Sequence, residues 1–174
     1  RRQRQMCIRD RALADAGRLQ EASQVLEKAY LPEKPSWSIL STQGSIADKM
    51  GNHTAAQQYY TEALKVAPGE PSVLSNLGLS YALARQLPEA ERVLQQAVNN
   101  PRADARVRQN LALVLALQGK FGEAENVLRQ VLSPADASAN VAAIRSMIAQ
   151  SNTWREIQSL DRGPARPRQQ TRRG

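Results

Sequence analysis

The chain repeats itself every 34 residues. Ala22, Ala56, Ala90 and Ala124 form one series at that spacing, and Leu26, Tyr60, Leu94 and Leu128 form a second. Ala29, Ala63, Ala97 and Val131 form a third. Gly17, Gly51 and Gly119 form a fourth, in which Arg85 takes the remaining slot. A fixed period of this length marks an array of supersecondary units, none of which can bury its apolar face alone.

Within a unit the apolar residues follow helical spacing: Leu74, Leu77 and Tyr81, then, after a short polar turn, Ala90, Val93, Leu94 and Ala97. Each unit is therefore a pair of helices. The turns "MGNH" and "QGKF" place Gly where a helix ends with positive φ, and Asn52 stands where it can cap the next helix. Pro68 and Pro101 fall just past the second helices, where a fixed φ and a missing N–H discourage continuation. Aromatic residues make up only 4% of a chain rich in Ala, Leu, Gln, Arg and Glu, and unbranched side chains lose little rotamer freedom in helices. Gly44, Gly78 and Ala112, again 34 apart, predict a close approach between the two helices of a unit. Ala56, Ala90 and Ala124 are the expected opposing residues, with Tyr60, Leu94 and Leu128 filling the space between units.

The expected fold is all-α, a solenoid of antiparallel helix pairs with a C-terminal capping helix. The period divides the chain into a partial unit at 12–34, full units at 37–70, 71–104 and 105–136, and a cap at 137–160. Ala142, Ile144, Met147 and Ile148 are expected to seat the cap, and Trp154 to pack on it. The segment 1–11 has charges where a first helix needs small or apolar residues, and its "MCIRDR" resembles translated sequencing-library adapter. It is expected to be non-native or disordered. The stretch 161–174, rich in Arg, Pro and Gly without apolar periodicity, is expected to be a disordered tail.

The net charge of +8 sits entirely in these two ends, each carrying five Arg against one Asp, so the body between them is neutral. A neutral body lacks a continuous phosphate-tracking surface, which argues against nucleic acid as the main partner. A single cysteine, Cys7, permits no intramolecular disulfide, and the basic "RQRQM" before it is unlike the apolar stretch of a lipoprotein signal. No window of the sequence approaches the ~20 apolar residues that span a bilayer. The sequence does not begin with Met, so a fragment or a mature form is expected.

Nothing in the chain converges as a catalyst. His53, the only histidine, lies in the turn "GNHT" beside no expected nucleophile. Gly119-Lys120 lacks the glycine-rich approach and the following Ser or Thr of a phosphate loop. Glu89 and Glu91, like Glu123 and Glu125, are two residues apart and point to different helix faces. "NHT" at 52–54 matches a glycosylation sequon, a pattern short enough to arise by chance. No enzyme, metal or cofactor is expected.

The recurring small, aromatic and alanine positions resemble the tetratricopeptide repeat, matched most fully at Leu74, Leu77, Gly78, Tyr81, Ala90, Leu94 and Ala97. Longer blocks, "EPSVLSNLGLSYALARQLPEAERVLQQA" (70–97), "ADARVRQNLALVLALQGKFGEAE" (103–125) and "ASANVAAIRSMIAQSNTW" (137–154), resemble the TadD family of the Tad/Flp tight-adherence pilus apparatus. The resemblance implies a noncatalytic protein-binding scaffold in the assembly of a type IV-like pilus of a Gram-negative bacterium, pilotin-like toward the secretin. It implies a protein partner from the secretion apparatus, a place in the periplasm or on the periplasmic face of the outer membrane, and membrane association only through an N-terminal signal or anchor. The alternative is a cytoplasmic adaptor or co-chaperone with another client.

In the repeat family the partner groove is formed by positions 2, 5, 9 and 12 of each first helix. Here these are Ser38, Ser41, Ser45 and Asp48, then Ser72, Ser75, Leu79 and Ala82, then Arg106, Gln109, Leu113 and Ala116. Leu79 and Leu113 either meet a partner's apolar stripe or pack under the next helix. Asn76 and Asn110, at position 6, either bind a partner's backbone or terminal carboxylate or serve the scaffold, and the equivalent earlier residue is Thr42.

Overall fold

The computed structural model describes residues 18–161, with side chains to residue 152. The segment 1–11 with Cys7, the tail from residue 162 onward and the side chain of Trp154 lie outside the described residues. Among the described residues there are eight helices and no strand: α1 (Leu19–Ala29), α2 (Trp37–Lys49), α3 (His53–Val66), α4 (Pro71–Leu83), α5 (Leu87–Val98), α6 (Ala105–Leu117), α7 (Phe121–Leu128) and α8 (Pro134–Asp161). Helices α2–α3, α4–α5 and α6–α7 form three hairpins, α1 packs on α2, and α8 packs on α6 and α7.

Local chemistry places the starts and stops. The Asn52 side chain accepts from the Ala55 N–H at 3.2 Å, and Asp104 accepts from the Val107 N–H at 3.2 Å, each satisfying an orphan donor of a first turn. Ser133 Oγ accepts from the Asp136 N–H and donates to the Asp136 carboxylate at 2.6 Å, so α8 starts at Pro134 and not at residue 137. The hairpin turns depend on one left-handed residue each. Gly51 (φ 78°) and Gly119 (φ 81°) supply it in two of them, and Arg85 (φ 62°) takes the same conformation in the third. Glycine adopts that region freely, whereas an L side chain there costs roughly 1–2 kcal/mol.

Inside the first two hairpins the decisive contact pairs a glycine with a large side chain. A Cβ built on Gly44 would stand 2.6 Å from the Tyr60 ring, and one on Gly78 would stand 2.5 Å from Leu94 Cγ. By spacing, Ala56 and Ala90 are the residues expected opposite these glycines. Both alanines are fully buried, yet the groups lying on the glycines are Tyr60 and Leu94, one further turn along the second helix. The large residues therefore close their own unit while bordering the next, since Tyr60 also packs in one cluster with Val73 and Leu77.

The units stack with their first helices touching one another, α2 on α4, α4 on α6 and α6 on α8, whereas the backbones of successive second helices do not pack on each other. The layer of first helices is thus the inner, concave side. Asp48 ties the first two units together. Its carboxylate accepts from Tyr60 Oη at 3.2 Å, from Ser80 Oγ at 2.8 Å and from His53 Nδ1 at 2.8 Å, joining α2, α3 and α4. Burial, then the Asp48 charge and hydrogen bond, hold the Tyr60 phenol protonated far above its usual range. Between the second and third units Glu91 takes that part, accepting from Lys120 Nζ at 2.7 Å and Gln118 Nε2 at 2.7 Å. The Lys120 hydrogen bond holds the Glu91 carboxyl below the usual range.

Cap packing differs from expectation in one respect. Ala137 and Val141 are buried and Ile144 and Ile148 half-buried, a spacing of four, three and four that faces the stack. Ala142 and Met147 are exposed, each one residue off that line.

Two substitutions test this account. Replacing Gly44 by Ala gains about 1 kcal/mol of helix propensity but forces a methyl into the Tyr60 ring. We expect a net loss of about 1–2 kcal/mol from overpacking, read as a lower urea midpoint. Arg85→Gly removes the left-handed strain and is expected to raise stability by about 1 kcal/mol in the same measurement.

Candidate functional site: a concave face divided into polar and apolar halves

On a helix, residues spaced four, three and four apart lie along one line. On α4 that line is Ser72, Asn76, Leu79 and Leu83, and on α6 it is Arg106, Asn110, Leu113 and Leu117. Ser72, Arg106, Leu83 and Leu117 are exposed, while the two Asn and the inner two Leu are half-buried. Helix α8 continues the pattern. Met147 lies as far beyond buried Ala137 as Leu83 lies beyond buried Val73 and Leu117 beyond buried Val107, which aligns Asn140 with Asn76 and Asn110.

This line corrects the expected groove at its last position. Ala116 is fully buried in the stack and Ala82 is half-buried against the same cluster, while the Asp48 side chain is only 11% exposed and engaged by three donors. The residue one step further, Leu83 or Leu117, faces outward instead; the signal for it was present as the spacing of four from Leu79 and Leu113. Ser75 is buried and Gln109 exposed, so position 5 does not form a uniform surface. Leu79 and Leu113 are half-buried, between the two readings left open for them.

Between the N-terminal ends of α4 and α6 the concave face holds a cleft of about 380 Å³. Ser72, Ser75, Asn76, Arg106 and Asn110 border it, together with Glu70, Arg102 and Asp104, which lie outside the expected groove positions. Leu79, Ala82, Gln109, Leu113 and Ala116 do not. Four charges meet there and cancel: Arg102 pairs with Glu70 at 3.0 Å and Arg106 with Asp104 at 2.9 Å. The Arg106 hydrogen bond and the helix-capping N–H of Val107 keep the Asp104 carboxyl below its usual range.

The two asparagines are half spent on the scaffold. Asn76 Nδ2 donates to Ser41 Oγ at 3.3 Å and Asn110 Nδ2 donates to Ser75 Oγ at 2.9 Å, each reaching back to the preceding unit. An amide has two donors and an acceptor carbonyl. Among the described residues the Oδ1 acceptor of each side chain makes no hydrogen bond. Each therefore fixes the stacking register and still presents an acceptor at the cleft.

The residue types of a hydrolytic triad do meet at Asp48, with His53 and Ser80 on the same carboxylate. Their connectivity differs from a triad: the Ser80 hydroxyl donates to the carboxylate and not to the imidazole, and Ser80 is fully buried. Among the described residues no three His, Cys, Asp or Glu side chains gather as a metal site, and no helix is long and apolar enough to cross a membrane.

Comparison with known proteins agrees with this architecture. The tetratricopeptide-repeat family matches residues 41–106 and again 105–133, together more than half of the chain. Human tetratricopeptide repeat protein 7A is 32% identical over 87 residues, which is 49% of this chain and 10% of that protein; the chain spans about a tenth of its relative's length. Among solved structures, MamA of strain AMB-1 superposes with a TM-score of 0.59 at 21% identity, covering 95% of this chain and 94% of that one. MamA from Desulfovibrio magneticus does so at 0.64 and 20% identity, covering 76% and 75%. A tetratricopeptide repeat protein from Parabacteroides merdae gives 0.67 at 19% identity, covering 85% of this chain and 60% of that one. At these identities the structural likeness speaks to fold alone. Period, hairpin geometry and family match converge: the chain belongs to the tetratricopeptide-repeat family.

Proposed function

We propose that this chain is a noncatalytic adaptor whose concave face captures a segment of a partner protein. Tetratricopeptide-repeat proteins are in general protein-binding scaffolds, and the cleft between α4 and α6 carries the proposal here. Its charges are paired, so it offers no net field for a terminal carboxylate, while Asn76, Asn110, Ser72 and Arg106 present neutral or already balanced hydrogen-bonding groups. Main-chain amides of a bound segment suit such a surface, since each brings one donor and one acceptor.

The client we propose is a component of a Tad/Flp pilus secretion apparatus, with the secretin as the first candidate and the periplasmic face of the outer membrane as the site of action. The three TadD-like blocks at 70–97, 103–125 and 137–154 support this reading, and they include the first helices α4 and α6 and the start of α8. A general adaptor for another client is the second reading, favoured by the neutral character of the cleft, which carries no signature of one apparatus.

Capture of a purified Tad/Flp secretin on the immobilised chain tests both levels. We expect Asn110→Ala combined with Arg106→Ala to weaken capture about tenfold, the equivalent of roughly 1.4 kcal/mol, with helical circular dichroism retained. Capture unchanged by the pair overturns the cleft. No capture by the unaltered chain overturns the pilus assignment and leaves the general adaptor.

A further inference from the structure

The apolar half of the concave face carries three exposed residues in register, Leu83 (59% exposed), Leu117 (43%) and Met147 (59%), one on each of α4, α6 and α8. Isolated exposed apolar residues are ordinary, but three aligned along adjoining helices make a continuous strip. Beside Leu83 stands Arg85, exposed and held at φ 62° in the slot that glycine fills in the sister turns. Among the described residues its guanidinium makes no ion pair.

We infer that this strip docks an acidic amphipathic helix of the partner, an inference that rests on the adaptor reading above. Spacing selects a helix. Packed helices lie about 8–10 Å apart, so the strip presents an apolar group at about that interval. Seven residues of α-helix rise about 10.5 Å and return to the same face, which sets apolar residues of such a partner against Leu83, Leu117 and Met147 in turn. In an extended strand, same-face residues recur at about 6.6 Å and 13 Å, and neither interval fits. Charge selects an acidic flank: a carboxylate one turn from the residue on Leu83 meets Arg85. The strip adjoins the polar cleft on the same two helices, so one client can enter the cleft as extended chain and leave along the strip as helix.

The test uses two labelled synthetic peptides of one composition, titrated into the full chain and followed by fluorescence anisotropy. One carries Leu at three successive heptad positions flanked by Glu; the other has the same residues reordered around two internal prolines so that it stays extended. The helical peptide is expected to bind at least about tenfold more tightly, as burial of several Leu side chains implies. Leu83→Glu with Met147→Glu should abolish that preference without loss of helical signal, because both side chains are exposed. Arg85→Glu should weaken binding, and replacing the flanking Glu of the peptide by Lys should restore it. Equal affinity for the two peptides, or binding untouched by the substitutions, overturns the inference. Either result leaves the adaptor reading to be decided by secretin capture with the Asn110 and Arg106 variants, which lie on the cleft and not on the strip.

Discussion

The first two hairpins of this solenoid depend on a large side chain packed against a residue with no side chain. Tyr60 on Gly44 and Leu94 on Gly78 fix how closely the two helices of a unit approach and how each is rotated about its axis. Close-packed interiors leave few alternatives once such a contact is made, since a change of one methyl group is felt. Tyr60 then does something Leu94 cannot. Its hydroxyl reaches Asp48, and Asp48 reaches Ser80 in the next unit, so the residue that closes one hairpin also orients the following one. The second junction lacks an aromatic at that position, and its polar tie runs on the other side through Glu91, Gln118 and Lys120.

Helix rotation explains what could and could not be read from the sequence. The period of 34, the turn glycines, the Asn52 cap and the buried alanines are local signals, and each has its counterpart in the structure. Which residues face the concave side is different, because successive helical residues turn by about 100°. Assigning position 12 in place of position 13 therefore moved the expected surface into the stack, where Ala116 and Asp48 lie, and passed over Leu83 and Leu117. Met147 was harder still. Helix α7 stops at Leu128, and the step from Val107 to Ala137 falls short of the period that separates Val73 from Val107. The register of α8 appears only once the buried face of that helix is known.

The asparagines show how one side chain serves two levels at once. Asn76 and Asn110 were legible as a repeated polar position, but their partners were not, because Ser41 and Ser75 lie 35 residues away on another helix. Using one N–H of each amide to lock adjacent units holds its carbonyl in a fixed orientation. A rigidly held acceptor loses little side-chain entropy when it binds, which favours affinity per contact over a mobile surface group. The scaffold bond and the binding role are thus not alternatives.

Arg85 sharpens the division of labour along the concave face. Folding alone favours glycine at that turn, as Gly51 and Gly119 show in the equivalent places, and a left-handed arginine gives up roughly 1–2 kcal/mol relative to them. Strain kept at a surface position that makes no ion pair among the described residues points to a use outside the fold. In the polar cleft on the same helices the lining charges are paired, Arg102 with Glu70 and Arg106 with Asp104. Balanced charges confer little preference between clients, whereas an unbalanced cation next to an exposed leucine discriminates by both charge and hydrophobicity. The polar cleft is therefore suited to holding a backbone of any sequence, and selection between partners falls to Arg85 and the strip that begins at Leu83.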